Sequence, residues 1–201
     1  MAEPDLQLVT PLSPSAPAWV EAVMGDFDEF LRDHASCEKK ASGMALAVAS
    51  HYPDQPELLE AMAELAAEEL GHYREVIKVM VKRGVVPGPD TKDPYINALN
   101  KLVRKGPANF LLDRLIVASV VERRGAERFG LIAERLADTG TEPELARFYS
   151  AIAQSESRHW TLFLKLALNN CNSEEVWPRF NDISDAEAEI VGSLPLRPAL
   201  H

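Results

Sequence analysis

The chain is predicted to be all-α: a four-helix bundle with a long crossover between its second and third helices and short helices at the periphery. Three observations predict this. Four long segments carry apolar residues in steps of three and four, the helical period. No segment alternates apolar and polar residues as a half-buried strand does. Third, acidic and imidazole side chains sit on those apolar faces in an order used twice: Glu38 then Glu69-x-x-His72, and Glu122 then Glu156-x-x-His159.

Residues 1–17 hold four prolines and read as an extended N-terminal arm. A first helix is expected from Ala18 to Ser50, its stripe passing Val23, Phe27, Phe30, His34, Glu38, Ala41, Ala45 and Val48. His51-Tyr-Pro-Asp-Gln-Pro stops it. A second is expected from Pro56 to Arg83, with Leu58, Met62, Leu65, Glu69, His72, Val76 and Met80 on one face. Gly84 and the prolines behind it end that helix. Residues 90–106 form the crossover, with a short helix through Ile96, Leu99, Leu102 and Val103. The third helix is expected from Pro107 to Asp138 and the fourth from Pro143 to Asn169, each opening on a proline. Their inward faces include Glu122 and Gly125 on one, Glu156 and His159 on the other. The tail from Asn170 holds three prolines and one short helix near Asp185–Val191. The domain reading is therefore 1–17 arm, 18–169 bundle, and 170–201 tail packing on the bundle.

Of 201 residues, 46% are hydrophobic and 26% charged, which suits one globular unit with a sizeable core. No apolar run reaches membrane-spanning length. The acidic, Pro-rich start does not resemble a signal peptide, so a cytoplasmic location is expected. Cys37 and Cys171 are expected as free thiols, and without a CxxC there is no built-in rubredoxin-type iron site. The net charge of −10 argues against nucleic acid, but its distribution argues for it. Residues 74–128 hold twelve Lys/Arg and six Asp/Glu, whereas the remainder holds nine and 25. Such asymmetry suits a polyanion docked on one face of an acidic protein; the plainer reading is a solvated basic face.

Glu and His at i, i+3 project to one side of a helix. A lone ExxH is common by chance in a Glu-rich chain, and a lone core histidine is usually structural. Six such residues in matching order are more specific: Glu38 precedes Glu69 by 31 positions and Glu122 precedes Glu156 by 34. That is the ligand set of a two-metal carboxylate site inside a helix bundle. Without cations, four inward carboxylates would repel one another and lose hydration. Mixed carboxylate and imidazole donors suit iron or manganese. Glu69 and Glu156 are expected to bridge two metals, with Glu38 and Glu122 terminal and one histidine on each. Tyr149 and Tyr73 are candidate electron relays, though core packing is the plainer reading. Cys37 and Trp160 are read as packing, and His34 and His51 as structural. Glu68 and Ser155 are candidate outer partners of the ligating histidines.

The six positions resemble the ferritin-like di-iron carboxylate superfamily. Ala-Ser-Cys37-Glu38-Lys-Lys-Ala-Ser, Ala-Glu-Glu69-Leu-Gly-His72-Tyr, Val-Val-Glu122-Arg-Arg-Gly-Ala-Glu and Ser-Glu156-Ser-Arg-His159-Trp resemble the bacterial tRNA hydroxylases acting on 2-methylthio-N6-isopentenyladenosine. The resemblance covers about residues 10–195. It implies two iron ions, dioxygen as co-substrate, and hydroxylation of the isopentenyl group beside the anticodon. One oxygen atom would enter the product and the other leave as water, with two electrons from an external donor. The substrate would be the anticodon loop of tRNA. Lys78, Lys82, Arg83, Lys101, Arg104 and Lys105 are the candidate phosphate contacts.

Three other readings compete. A ferritin-like ferroxidase or peroxidase shares the ligands but does not need the basic segment. A small-molecule di-iron monooxygenase or desaturase needs a substrate tunnel that sequence does not reveal. A metal-free helical module leaves four inward carboxylates unexplained.

Overall fold

The structure is a computed structural model that describes residues 4–201; residues 1–3 of the predicted arm lie outside the described residues. Among the described residues there is no strand. A 3-10 turn at Leu6–Leu8 precedes α1 (Pro17–Gly25), α2 (Phe27–His51), α3 (Pro56–Arg83), α4 (Pro94–Asn100), α5 (Pro107–Thr139), α6 (Pro143–Asn170) and α7 (Ser173–Ser193). Among the described residues, five of the seven helices open on proline, which tolerates the first turn because its missing N–H would have no helical partner there. Left-handed Gly84 closes α3 and left-handed Gly140 closes α5, each with its N–H on carbonyls of the last turn.

The chain divides into two compact units. One comprises Glu21–Thr91 and Leu196–Leu200 and is built on the α2/α3 hairpin. The other comprises the chain up to Val20, Lys92–Pro195 and His201, and is built on the α5/α6 hairpin with α4 and α7 against it.

In the α2/α3 unit, Leu31, Ala45, Leu58, Met62, Leu65, Val76 and Met80 are buried. The Ser42 hydroxyl donates to the Ala66 carbonyl at 2.8 Å and ties the pair together. The loop after α3 is strapped to α2: Arg32 donates to the Val86 carbonyl at 3.0 Å, and Ser36 and Lys39 both donate to Asp90. The backbone N–H of Leu200 donates to Asp33 at 2.7 Å, and the side chain of Leu200 is buried.

In the α5/α6 unit, Ser119 donates to the Trp160 carbonyl at 2.7 Å. The crossover is anchored by charge. Asp113, fully buried on α5, accepts from the Arg104 backbone and guanidinium and from Arg179 of α7. A second buried pair joins Arg124 of α5 to Glu187 of α7 at 2.7 Å, with the Tyr95 hydroxyl donating to the same carboxylate. The arm is not loose. Thr10 and Ser15 donate backbone N–H groups to Asn181 and Glu127, and the Ser13 carbonyl accepts from Arg124. His201 stacks on Tyr95 with ring centres 4.6 Å apart.

Two predicted elements are corrected. The single first helix is two, because the Asp26 side chain accepts from the Glu29 N–H and restarts the helix at Phe27. The apolar steps Val23, Phe27, Phe30 run across that break and conceal it. The short tail helix is a 21-residue α7 that starts twelve residues earlier, capped by Asn172. Pro178 lies inside it and removes one backbone donor, yet buried Val176, Phe180 and Ile183 hold the helix together across the proline.

Candidate metal centre

Each hairpin presents one Glu/ExxH triad. In the α2/α3 unit, Glu38, Glu69 and His72 offer ligand atoms within 4.8 Å of one another. The Glu38 and Glu69 carboxylates are 3% and 1% exposed, an expensive place for acidic groups unless cations neutralise them. His72 Nδ1 lies 3.5 Å from Glu38 Oε2 and 3.7 Å from Glu69 Oε2, too far for strong hydrogen bonds and suited to donors converging on a shared ion. His34, one turn before Glu38 and fully buried, places Nε2 2.6 Å from Glu38 Oε1. Burial, and then the neighbouring His72, outweigh the opposing pull of Glu69 and hold the His34 pKa down at about 3. A carboxylate oxygen accepts, so the Nε2 that faces it at 2.6 Å is assigned as the nitrogen carrying the proton. The plain structural reading of His34 is thus refined: it touches a candidate ligand directly.

In the α5/α6 unit, Glu122, Glu156 and His159 also offer ligand atoms within 4.8 Å of one another, and all three are buried. His159 Nδ1 lies 3.1 Å from Glu156 Oε2. On the other side of that ring, Nε2 is 3.4 Å from Ser155 Oγ, which accepts from Arg158. Ser155 therefore stands where an outer partner of His159 is expected; Glu68 is exposed on α3. Gly125 leaves room beside Glu156: a Cβ built there would sit 3.9 Å from Glu156 Cγ.

The two serine bonds that tie the hairpins were missed in the sequence. Ser42 is one turn after Glu38 and Ser119 one turn before Glu122. Small buried serines on the ligand faces were the available signal.

The remaining candidates fall as follows. Tyr149 is fully buried, stacked on Phe129 and edge-on to Phe148. Cys37 and Cys171 are free thiols; the Cys37 thiol points to Asp33 at 3.7 Å, and burial pushes the Cys171 thiol up to about 11. His51 is exposed, with Nδ1 at the Ala47 carbonyl.

Among the basic candidates, Lys78 and Lys82 are exposed on α3, with Lys78 also reaching Glu75 at 2.8 Å. Arg83 lies over the Phe27 ring and 3.5 Å from Asp28. Lys101 and Lys105 are exposed around the α4–α5 turn, whereas Arg104 between them is committed to Asp113. Other cations of the 74–128 segment turn inward. Arg124 and Arg128 are buried, and Arg123 lies over Trp160 and Phe180. The charge count of that segment therefore overstates its surface charge.

A family model described as tRNA-(MS[2]IO[6]A)-hydroxylase (MiaE) matches residues 6–201. The chain belongs to this family. Among MiaE-family relatives, the tRNA 2-(methylsulfanyl)-N(6)-isopentenyladenosine(37) hydroxylase of Pseudomonas putida is 35% identical over 180 residues, covering 90% of this chain and 85% of its own. The protein of the same name from Salmonella typhimurium is 30% identical over 135 residues, covering 67% of this chain and 48% of its own. A solved structure, Protein 43 with aldehyde deformylating oxygenase activity from Synechococcus, matches with a TM-score of 0.85 and 33% identity, covering 92% of this chain and 90% of that one. The fold of this MiaE-family chain is accordingly all-α, as its periodicity predicted, and ferritin-like, as its resemblance implied. No helix among the described residues is long and apolar enough to cross a membrane.

Proposed function

We propose that Glu38, Glu69 and His72, together with Glu122, Glu156 and His159, hold two iron ions, and that the protein hydroxylates the isopentenyl group of 2-methylthio-N6-isopentenyladenosine beside the tRNA anticodon. The observation that carries the metal reading is the doubled triad. Two hairpins of one chain each bury two carboxylates with an imidazole aimed at them. Hard oxygen donors mixed with imidazole fit iron. The names of the Pseudomonas and Salmonella relatives support the substrate.

Iron in such a donor set supplies the dioxygen chemistry that hydroxylation of a methyl group requires. One oxygen atom is inserted into the C–H bond, the other leaves as water, and an external donor provides two electrons and the solvent two protons. The chain's own part is placement. The buried carboxylates would hold the cations, and the apolar residues around them keep bulk water away. Lys78, Lys82, Lys101 and Lys105 are exposed, where they can meet phosphates. Reading Arg104 as a phosphate contact must share its guanidinium with Asp113. A cytoplasmic site of action follows from a tRNA substrate.

The likeness to the Synechococcus oxygenase favours one alternative, a small-molecule oxygenase. Nucleoside mass spectrometry after reaction with the modified tRNA separates the two. A product heavier by one oxygen supports the tRNA reading, and its absence while dioxygen is consumed supports the other.

A further inference from the structure

We infer that His34 is a positioning residue that holds Glu38 as a one-oxygen metal ligand. This rests on the metal reading above.

The distances decide what His34 does. Two donors bound to one ion at about 2.0–2.2 Å and at right angles stand about 3 Å apart. His159 Nδ1 and Glu156 Oε2, at 3.1 Å, fit that spacing. His34 Nε2 and Glu38 Oε1, at 2.6 Å, are closer, which fits a short N–H···O bond to a carboxylate. His34 therefore occupies Oε1 and leaves Oε2, the oxygen 3.5 Å from His72 Nδ1, to bind metal. The imidazole is held on the other side by its place in the core, with the Phe30 ring centre 5.9 Å away. The Glu38 carboxylate is thus held from its own helix, one turn before it.

The test is a cobalt(II) titration of wild-type protein, His34→Leu and His34→Gln, read by visible absorption and equilibrium dialysis. Helix content by circular dichroism serves as the folding check. Wild type is expected to take two equivalents. His34→Leu should still take two, one of them about 10–100-fold more weakly, the usual cost of losing an outer partner. Its ligand-field bands should weaken as Glu38 adds a second oxygen. His34→Gln keeps an N–H donor and should restore both affinity and bands. A wild-type spectrum and affinity in His34→Leu would overturn the inference. Loss of one whole equivalent in both variants would also overturn it, because His34 would then be a ligand. Should wild type itself bind fewer than two equivalents, the metal reading fails and this inference with it. If His34→Leu does not fold, nitrogen-15 NMR of the zinc-loaded wild type decides. A slowly exchanging, downfield Nε2–H on His34 supports the bond, and an unprotonated Nε2 excludes it.

Discussion

The guanidinium of Arg104 donates twice to the buried carboxylate of Asp113, at 2.9 Å from Nη2 to Oδ1 and 3.1 Å from Nε to Oδ2. Arg179 completes the clamp from α7 and also donates to the Leu102 carbonyl at 2.6 Å. A cation that sequence assigns to tRNA is therefore also the anchor of the crossover. Its neighbours Lys101 and Lys105 have no such duty.

This divides the basic residues experimentally. Arg104→Glu sets a second carboxylate against Asp113 and is expected to cost about 3 kcal/mol, the lower end for a broken buried pair, because Arg179 remains. Lys101→Glu and Lys105→Glu should change stability by no more than about 0.5 kcal/mol. They should weaken tRNA binding and flatten its salt dependence by about one unit of slope per lost phosphate contact. Urea melts and filter binding at several salt concentrations measure both. Unchanged tRNA affinity in the Lys101→Glu, Lys105→Glu double variant would remove this turn from the interface.

Asp113 also carries a pH dependence. Burial raises its pKa, but hydrogen bonds from Arg104 and Arg179 more than offset that and leave it below the ordinary value. A carboxyl depressed in the folded state contributes stability above its unfolded value of about 3.9, and loses it as pH falls toward the folded value. Wild type should therefore lose stability more steeply than Asp113→Asn below about pH 4, starting from a higher value at neutral pH. Parallel acid curves for the two proteins would reject this role.

Gly125 tests the space beside Glu156. A methyl group there meets only ordinary contacts at 3.9 Å. Gly125→Ala should keep metal binding and gain up to about 1 kcal/mol from helix propensity. Gly125→Leu extends into Glu156 and should lose at least one metal equivalent. Metal analysis and thermal melts of both variants check this, and full metal occupancy in Gly125→Leu would contradict it.

The buried carboxylates set a trade between apo stability and metal binding. Glu69→Gln removes one negative charge from the core, so the metal-free variant should melt above metal-free wild type. Ferrous or manganous ions at about 100 times Kd should stabilise wild type by about 2.7 kcal/mol and the variant far less. An equal rise in both would argue against Glu69 as a ligand.

The four core helices and both triads were legible because each has a local signature: apolar steps of three and four, prolines at the starts, and a carboxylate and imidazole one turn apart. What escaped was decided by tertiary partners. Asp26 restarts a helix without interrupting the apolar stripe. The tail's three prolines suggest only a short helix near Asp185–Val191, yet α7 runs through Pro178 because Phe180, Ile183 and Glu187 are buried. Arg124 and Arg128 read as surface charge, but Glu187 and Ser15 draw them inward. His34 reads as a core histidine, and only its 2.6 Å approach to Glu38 gives it a part in the site.

The most direct test of the whole account is a reaction of iron-loaded, reduced wild-type protein and Glu122→Ala with dioxygen and tRNA bearing 2-methylthio-N6-isopentenyladenosine. The tRNA is then digested and its nucleosides weighed. The account predicts a nucleoside heavier by one oxygen atom with wild type and none with Glu122→Ala. Unmodified nucleoside from a wild-type protein that holds iron and consumes dioxygen would contradict it.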